Sequence, residues 1–345
     1  MPRKDRRYER YELENSLWAQ DPTQRDIATL LRLTKDQLKA VIRDKEQYIS
    51  RRTVLINGKS RNLAVPLKKL RQIHSRIKFQ LNKIRQPIYL FSPRKGYGQR
   101  DNAERHANGT QLLKVDIKQF YPQTTQEDIW RWAYYSLGIR EDVAGLIAKL
   151  VAIDGKMPFG SPISPVLTSL VHRPMFDQVH SICQASGLTM TLWVDDLTIS
   201  GNAIAGDVIV SVRDAIRDGG FQTHRIEKLN SARPIIITGV PVANGRVQAP
   251  RSLHKRIEAE YLALRSAETD SERAGIIDRI LSVLGTYRYH VGASTSEGRR
   301  TADRMHALKQ RRSKLPISIV TPIKSPDPLS VRASVSEPDD TAPWE

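Results

Sequence analysis

Two adjacent carboxylates in the middle of the chain, Asp195 and Asp196, constrain its fold and chemistry more than any other feature. They lie between two apolar, strand-like runs, 188–193 and 197–200, a pattern that predicts a β-hairpin with both acids at its turn. Two close carboxylates repel each other, and without a cation one of them takes up a proton. Mg²⁺ removes this conflict, since it binds few protein carboxylates and keeps positions for substrate phosphates. The hairpin therefore predicts a metal-dependent phosphoryl-transfer site.

The composition excludes several classes of protein and favours a nucleic-acid partner. The chain has 345 residues, 39% of them hydrophobic, and a net charge of +18, which favours a polyanion over a merely solvated basic surface. Cys183 is its only cysteine, which excludes a disulfide framework and a cysteine-based zinc site and is typical of a reducing compartment. Since no run of about 18 apolar residues and no signal-peptide pattern occurs, we expect a cytoplasmic protein without a membrane span.

Hydrophobic periodicity and turn residues predict an order of elements that changes from helices to strands and back to helices. Short helices are expected between 23 and 48, followed by a hairpin of 51–56 and 59–66 and a basic amphipathic helix from 67 to 84. The remaining predicted elements are strand 112–117, helices 126–137, 143–150, 166–183 and 206–218, strand 234–237, and basic helices from 252 to 314. From Pro316 the chain is rich in Pro and Ser and then acidic, which predicts a disordered tail.

Asp116 ends the predicted strand 112–117 and supplies a third acid. A two-metal site for phosphoryl transfer needs carboxylates from neighbouring strands that bridge two ions roughly 3.5–4 Å apart. Each acid taken alone is better explained as the cap of a turn, whereas a strand acid combined with a hairpin pair in a basic protein favours a catalytic site. We therefore predict that Asp116, Asp195 and Asp196 are catalytic and hold two Mg²⁺ ions.

The segments around these acids resemble two motifs of reverse transcriptases. Asp116, followed by Phe120 and Tyr121, is similar to the family's first catalytic motif, and Trp193-Val194-Asp195-Asp196 resembles its aromatic-x-Asp-Asp box. The resemblance implies an α+β, right-hand polymerase with fingers, a palm whose antiparallel sheet packs on helices, and a helical thumb. It also implies that Ile117 joins the three acids as a metal ligand and that the Tyr121 ring lies under the incoming sugar, where it favours dNTPs. An ordinary core tyrosine is the alternative for Tyr121.

The same resemblance divides the chain into five parts. These are an N-terminal helical region (1–50), fingers (51–110), a palm with part of the fingers (111–250), a basic helical thumb (251–315) and a disordered tail (316–345).

Other segments resemble the family's nucleotide-binding elements. Lys59 and Arg61 correspond to the fingers hairpin that holds the triphosphate, and Phe159-Gly160 begins the glycine-proline loop near template and nucleotide. Lys228 ends the motif that follows the acid box and is expected near the pyrophosphate, with a surface lysine as the alternative. The residues that the resemblance assigns to nucleotide binding are Lys59, Arg61, Phe120, Tyr121, Phe159, Gly160 and Lys228.

Two further elements, Asn102-Ala103-Glu104-Arg105-His106 and Ile237-Thr238-Gly239, are similar to those of retron reverse transcriptases. This resemblance implies that a dedicated structured non-coding RNA is both template and primer, that synthesis starts from a guanosine 2′-hydroxyl, and that the product is RNA-linked single-stranded DNA (msDNA). It further implies dNTP substrates, a role in anti-phage defence and a separate effector protein. The expected RNA-binding residues are Asn102, His106, Thr238, Gly239, Arg299, Arg300, Arg304, Arg311 and Arg312. For His106, the cap of a local turn is the alternative.

Two positions depart from the family pattern. Trp193 stands where the family usually has Tyr or Phe, and Phe159 stands where it usually has Gln. Because all three acids remain, we expect an active enzyme with altered nucleotide handling or processivity. Two alternatives stay open, namely another bacterial reverse transcriptase of the abortive-infection or diversity-generating type, and a catalytically weak RNA-binding scaffold on the polymerase fold.

Overall fold

The computed structural model describes residues 10–56 and 59–316, without the side chains of Ile56 and Lys59. Its helices are α1 (Gln24–Leu30), α2 (Lys35–Arg43), α3 (Lys68–Leu81), α4 (Gln99–Glu104), α5 (Phe120–Gln123), α6 (Gln126–Arg131), α7 (Glu141–Val151), α8 (Ser164–Val171), α9 (Arg173–Ala185), α10 (Gly206–Asp218), α11 (Arg251–Ser266), α12 (Asp270–Val291) and α13 (Ser296–Arg312). Its strands are β1 (Ile49–Ile56), β2 (Lys59–Pro66), β3 (Leu90–Ser92), β4 (Gln111–Ile117), β5 (Thr189–Trp193), β6 (Asp196–Gly201), β7 (Thr223–Asn230), β8 (Ile235–Ile237), β9 (Val240–Ala243) and β10 (Arg246–Val247). Helix α6 continues as a π-helical segment, Trp132–Ser136.

The first hydrophobic core joins the N-terminal helices to the fingers segment. Helices α1 and α2 each begin with a capping box, in which Thr23 or Thr34 accepts a hydrogen bond from the third helical residue. Buried side chains such as Leu38 of α2 pack in one cluster with Leu70 of α3 and Val166 of α8. The N-terminal helices therefore belong to the same packed unit as the fingers segment.

The palm is a five-stranded sheet in the order β3-β5-β6-β4-β7, antiparallel except for the β3–β5 pair. Helices α9 and α10 pack on this sheet. Phe176 and Cys183 from α9 and Ile216 from α10 share a core with Leu113 of β4 and Ile199 of β6. An antiparallel sheet packed on helices, followed by a helical thumb, confirms the predicted α+β, right-hand polymerase fold.

A second, smaller sheet in the order β10-β9-β8 lies beside α4. Its apolar residues, Ile237 and Val240 among them, pack with Ala103 of α4 and Leu112 of β4. This small core fixes α4 against the palm.

The thumb consists of helices α11 to α13 and has a core of its own. Ile280 and Leu284 of α12 pack there with Leu253 of α11 and Leu308 of α13. Within residues 10–56 and 59–316, no helix is long and apolar enough to cross a membrane. From residue 317 onward, the predicted tail lies outside the described residues.

The prediction of one helix over 166–183 is wrong. Helix α8 ends at Val171 and α9 begins at Arg173, with Pro174 in its first turn. Proline has no backbone N–H and its ring clashes with the carbonyl four residues earlier, so it cannot continue α8. The same residue is well suited to the first turn of a new helix.

Candidate active site

The sheet register brings the predicted catalytic acids together. In the antiparallel β4–β6 pair, Asp116 lies directly opposite Asp196. Residues in direct register point to the same face of a sheet, with Cβ atoms about 5 Å apart. On the other side of β6, Trp193 of β5 is the register partner of Asp196. Asp195 occupies the turn between β5 and β6, so the three acids are neighbours at one end of the palm sheet.

The turn that carries the acids is held by backbone hydrogen bonds and contains a strained residue. The Val194 N–H donates to the Ser92 carbonyl at 3.1 Å, and the Ile117 N–H donates to the Asp195 carbonyl at 3.3 Å. Val194 has a φ of +63°, a left-handed conformation that costs a side-chain-bearing residue roughly 1–2 kcal/mol. Its side chain is buried, so packing and these hydrogen bonds offset the strain. Such strained residues cluster at active sites and ligand clamps.

A cavity of about 990 Å³ lies between the fingers hairpin, β1–β2, and the palm. Asp116 and Asp195 line its palm side, whereas Asp196 is exposed beside them. The basic side chains that line the cavity are Arg51, Arg52, Arg61, Lys118, Lys156 and His224. A third acid, Asp154, also lines the cavity and is paired with Arg51. Asp116 and Asp195, together with the other cations, suit a substrate that carries phosphates and a bound metal ion.

Three predicted nucleotide-binding side chains form a chain of contacts in this cavity. The rings of Tyr121 and Phe159 meet edge to face, with centroids 5.4 Å apart. The guanidinium carbon of Arg61 lies 5.6 Å from the Phe159 centroid, within the range of a cation–π interaction. Phe159 therefore links the fingers hairpin to the residue predicted as the sugar gate.

Phe120 lines the cavity, and Gly160 directly follows the lining residue Phe159. Phe120 is 2% exposed and its ring packs against Phe176, with centroids 5.8 Å apart. Gly160 has a φ of +94°, and a Cβ atom there would lie 2.9 Å from Cγ2 of Val65 in β2. Glycine is therefore needed at position 160 both for the backbone conformation and for the close approach of the hairpin.

The sequence did not reveal His224, which lies beside a catalytic acid. Its Nδ1 atom is 3.6 Å from Oδ2 of Asp116, and its side chain is half exposed. The next residue, Arg225, is the β7 partner of Asp116 in the sheet. The stretch 220–228 resembled a family motif, but only the pairing of β7 with β4 places His224 at the acid.

Arg51, which lines the cavity, is held by two carboxylates. It donates hydrogen bonds to Glu46 and Asp154 at 2.7 and 2.8 Å, and these raise the pKa of its guanidinium. Arg51 therefore ties the fingers hairpin to the turn after α7.

The expected position of Lys228 near the pyrophosphate is corrected. On β7 it pairs with Leu113, three residues along β4 from Asp116. Its Nζ donates to the Ile204 carbonyl at 2.7 Å, in the loop before α10, and it does not line the cavity. The strand register, rather than the spacing from the acid box, decides where this amine lies. The side chain of Lys59 is outside the described residues.

Two residues predicted to bind RNA are buried, and the prediction of direct contact is corrected for both. Asn102 and His106 are each 0% exposed. Nδ2 of Asn102 lies 3.3 Å from Oγ1 of Thr238, so the two segments with a retron resemblance meet. The ring nitrogens of His106 each lie 2.7 Å from a hydroxyl, that of Ser200 on Nδ1 and that of Thr191 on Nε2. These side chains hold the fold together and do not face solvent.

Of the other predicted RNA-binding residues, Thr238 and Arg312 are half-buried and the rest are exposed. Thr238 and Gly239 form the turn between β8 and β9, where both have positive φ. Arg312 lies 3.0 Å from both carboxylate oxygens of Asp278 and is only 20% exposed, so it forms an ion pair within the thumb. The remaining arginines of α13, all exposed, are Arg299, Arg300, Arg304 and Arg311.

The acids fit a divalent cation by their chemistry and their register. Like charges directly opposite each other destabilise a sheet, so the Asp116–Asp196 pair favours a cation between its carboxylates. Within the part of the chain that the structure describes, no three His, Cys, Asp or Glu side chains converge closely enough to hold a metal ion. Mg²⁺ is commonly bound by one or two carboxylates and completed by water and substrate phosphates. The pair therefore fits a site that substrate completes.

Comparison with protein families identifies the segment that contains this site. A family model described as reverse transcriptase (RNA-dependent DNA polymerase) matches residues 42–228. The matched segment contains the fingers hairpin, Asp116 and the hairpin of β5 and β6 whose turn carries Asp195 and Asp196, called the acid hairpin below.

Curated relatives and a solved structure were also found. The retron Ec86 reverse transcriptase of Escherichia coli is 26% identical over 196 residues, which cover 53% of this chain and 59% of that protein. The retron Mx65 reverse transcriptase of Myxococcus xanthus is 24% identical over 286 residues, 73% of this chain and 65% of that protein. The match to a structure of telomerase from Candida albicans in complex with a fragment of telomeric RNA covers 77% of this chain and 61% of that chain, at 8% identity and a TM-score of 0.44.

These matches confirm the resemblance to retron reverse transcriptases that the sequence motifs indicated. Each aligned region spans less than two thirds of the curated relative.

Proposed function

Since the chain belongs to the reverse transcriptase family, we propose that it is the RNA-directed DNA polymerase of a retron. In this role it copies a dedicated structured non-coding RNA into single-stranded DNA that stays linked to the RNA (msDNA). The retron assignment is supported by the curated relatives and by the contact between Asn102 and Thr238, which joins the two retron-like segments.

One observation carries the proposal. Asp116 and Asp196 stand opposite each other in the sheet. Asp116 and Asp195 line a cavity that six basic residues also line. Nucleotidyl transfer needs this combination, because acids must hold the ions and cations must hold the triphosphate. Two bound Mg²⁺ ions, held by Asp116, Asp195, Asp196 and the carbonyl of Ile117, would activate the primer hydroxyl and stabilise the charge of the leaving pyrophosphate.

The chain's own side chains bind and orient the nucleotide. Arg61 approaches from the fingers hairpin, where its planar guanidinium can bind two phosphate oxygens at once. Lys118 and Lys156 add positive charge to the same cavity. The Tyr121 ring meets Phe159 edge to face. In the proposed complex it would lie under the sugar and clash with a ribose 2′-hydroxyl. The site therefore accepts dNTPs in preference to rNTPs.

The RNA partner is supported by charge. The net charge of +18 and the exposed arginines of α13 suit the backbone of a structured RNA and of an RNA–DNA hybrid, which proteins read by shape and phosphate contacts. By analogy with retrons, synthesis starts at a guanosine 2′-hydroxyl of this RNA, and the product acts in the cytoplasm with a separate effector protein in anti-phage defence.

The first experiment is DNA synthesis by the purified protein together with its co-purifying nucleic acid. We expect dNTPs and Mg²⁺ to yield DNA of defined length that is covalently joined to RNA, and sequencing of that product identifies the RNA. Asp195→Asn should yield no DNA, because it removes an acid of the metal site. Asp303→Asn, the same change at an exposed thumb residue, is the matched control and should keep wild-type activity.

Other outcomes decide between the remaining candidates. DNA made only on unrelated templates, without an RNA link, indicates another type of bacterial reverse transcriptase. RNA binding with no DNA on any template indicates a scaffold that has lost activity. Full synthesis by Asp195→Asn would show that the metal-site assignment is wrong.

A further inference from the structure

The segment 98–106, which contains α4, contacts the thumb at one end and the acid hairpin at the other. Neither contact reaches the cavity, so binding of a nucleotide explains neither of them. Two sets of contacts and one close approach define what the segment does.

The first set attaches the segment to the end of thumb helix α12. Nε of Arg100 donates to the His290 carbonyl at 3.0 Å. The hydroxyl of Tyr289 donates to Oδ2 of Asp101 at 3.3 Å, and the same oxygen accepts the Gly98 N–H at 2.7 Å. Two consecutive thumb residues are therefore held by two consecutive residues of α4.

The second observation is that the Tyr289 hydroxyl occupies the space beside Gly98. A Cβ atom at Gly98 would lie 1.9 Å from the hydroxyl oxygen of Tyr289 and 3.0 Å from the ring carbon that carries it. The backbone of Gly98 has a φ of −128°, which any residue adopts. The Tyr289 hydroxyl, rather than the backbone conformation, therefore limits the residue at this position, and a side chain there requires the contact with Tyr289 to shift.

The second set of contacts attaches the other end of the segment to the acid hairpin. His106 is buried between Thr191 of β5 and Ser200 of β6, with 2.7 Å to each hydroxyl. A neutral imidazole has one donor and one acceptor nitrogen, which these two hydroxyls satisfy. Thr191 and Ser200 lie on the two strands that lead into and out of the Asp195–Asp196 turn.

We propose that segment 98–106 is a positioning element that couples the thumb to the acid hairpin. When the thumb seats on a nucleic-acid duplex, the bonds of Arg100 and Asp101 fix α4, and His106 fixes the strands that carry the acids. Ala103 packs the segment against the small sheet. Because such packed contacts do not deform continuously, a shift at the thumb end of the segment moves its other end at the acid hairpin. This inference rests on the proposed polymerase function, which gives the thumb its duplex.

A clash-and-rescue experiment tests the coupling. Gly98→Ala places a methyl group against Tyr289 and displaces the thumb end of the segment, and Tyr289→Ala in the same chain removes the obstructing ring. We expect Gly98→Ala to lower the rate of single-nucleotide incorporation, at saturating dNTP and duplex, by roughly 2- to 30-fold. The double variant should recover most of this loss. Gly275→Ala in α12 is the matched control, because a Cβ atom there meets no atom within 4 Å.

A second measurement does not depend on activity. Amide hydrogen exchange over 189–201 should be faster in Gly98→Ala than in wild type and should return toward wild type in the double variant. If Gly98→Ala does not fold, Tyr289→Phe, which removes only the hydroxyl, should change both readouts in the same direction by a smaller factor.

The inference is overturned if Gly98→Ala weakens only duplex binding or processivity, with the saturated incorporation rate and the exchange over 189–201 unchanged. In that case α4 merely anchors the thumb. An inactive wild-type protein whose hairpin exchange still responds to Gly98→Ala contradicts the proposed function and supports the coupling. An active wild-type protein whose exchange does not respond contradicts the coupling alone.

Discussion

The acid hairpin and the α4 segment (98–106) both carry family motifs, but the motif acids face solvent in the hairpin and the motif residues are buried in the segment. At the hairpin, Asp196 is exposed, and Asp116 on the neighbouring strand is 45% exposed, although the two carboxylates repel each other. In the α4 segment, Asn102 and His106 are fully buried and contact only other parts of the fold. A recognisable motif can therefore mark residues that meet substrate or residues that hold those residues in place. Burial distinguishes the two.

The largest expected effect is a loss of catalytic activity, without a loss of stability, when Asp116 is replaced. Asp116→Asn should lower nucleotide incorporation at least about a thousandfold, because loss of a metal ligand removes several kcal/mol of transition-state stabilisation. The same change removes a like-charge pair across β4 and β6, so the free energy of unfolding should stay the same or rise by up to about 1 kcal/mol. Incorporation assays and urea unfolding measure the two quantities. A variant that is both inactive and clearly destabilised would show that Asp116 supports the fold as well as the chemistry.

The buried histidines should make the folded protein less stable in acid. Burial lowers the pKa of His74 to about 4, of His106 to about 3 and of His172 to about 4. In the unfolded chain these groups titrate near pH 6.5, so between that pH and about 4 the unfolded state binds more protons. Stability is therefore complete above pH 6.5 and falls on acidification, by up to roughly 1.4 kcal/mol per pH unit for each histidine. Urea unfolding at a series of pH values from 7 to 4.5 measures this slope.

His106→Asn assigns part of that acid sensitivity to the α4 segment. It removes one of the buried histidines that gain a proton on unfolding, so the slope should become shallower. At pH 7 the variant should lose roughly 1–3 kcal/mol, because the buried hydroxyls of Thr191 and Ser200 lose a partner. His306→Asn, at an exposed thumb position, should change neither quantity. An unchanged slope in His106→Asn would mean that His106 is not buried as a neutral group.

Local signals predicted the elements of the fold, and long-range pairing decided the rest of the site. The capping box at Thr34 and the apolar stripe of α3 identified helices, and the apolar run before Asp116 identified β4. The approach of His224 to Asp116 and the diversion of Lys228 to the Ile204 carbonyl both follow from the register of β7 on β4, which no local pattern specifies. The burial of His106 likewise depends on strands that are remote in sequence. The break at Pro174 had a local signal, since proline ends helices.

Strain at the hairpin turn gives a further test, smaller than the preceding ones. Val194→Gly and Val194→Ala both remove the buried side chain, but only glycine relieves the positive φ. The glycine variant should therefore be the more stable of the two by roughly 1 kcal/mol, the reverse of the usual order. Val212 in α10, buried in an ordinary helical conformation, is the matched position, where alanine should be the more stable. Equal stability of the two Val194 variants would mean that the turn stores no strain.

The smallest expected effect concerns Phe159. It is half-buried, between the exposed acids of the hairpin and the buried residues of the α4 segment. Phe159→Leu removes the edge contact with Tyr121 and the cation–π contact with Arg61, which together contribute about 1 kcal/mol. If Phe159 positions these two residues for the nucleotide, KM for dNTPs should rise roughly fivefold while kcat changes little. Phe79 of α3 makes a similar contact with Lys83, away from the cavity, and Phe79→Leu should leave KM unchanged. If Phe159→Leu lowers stability but not dNTP affinity, Phe159 belongs with the buried residues that hold the site rather than with those that meet substrate.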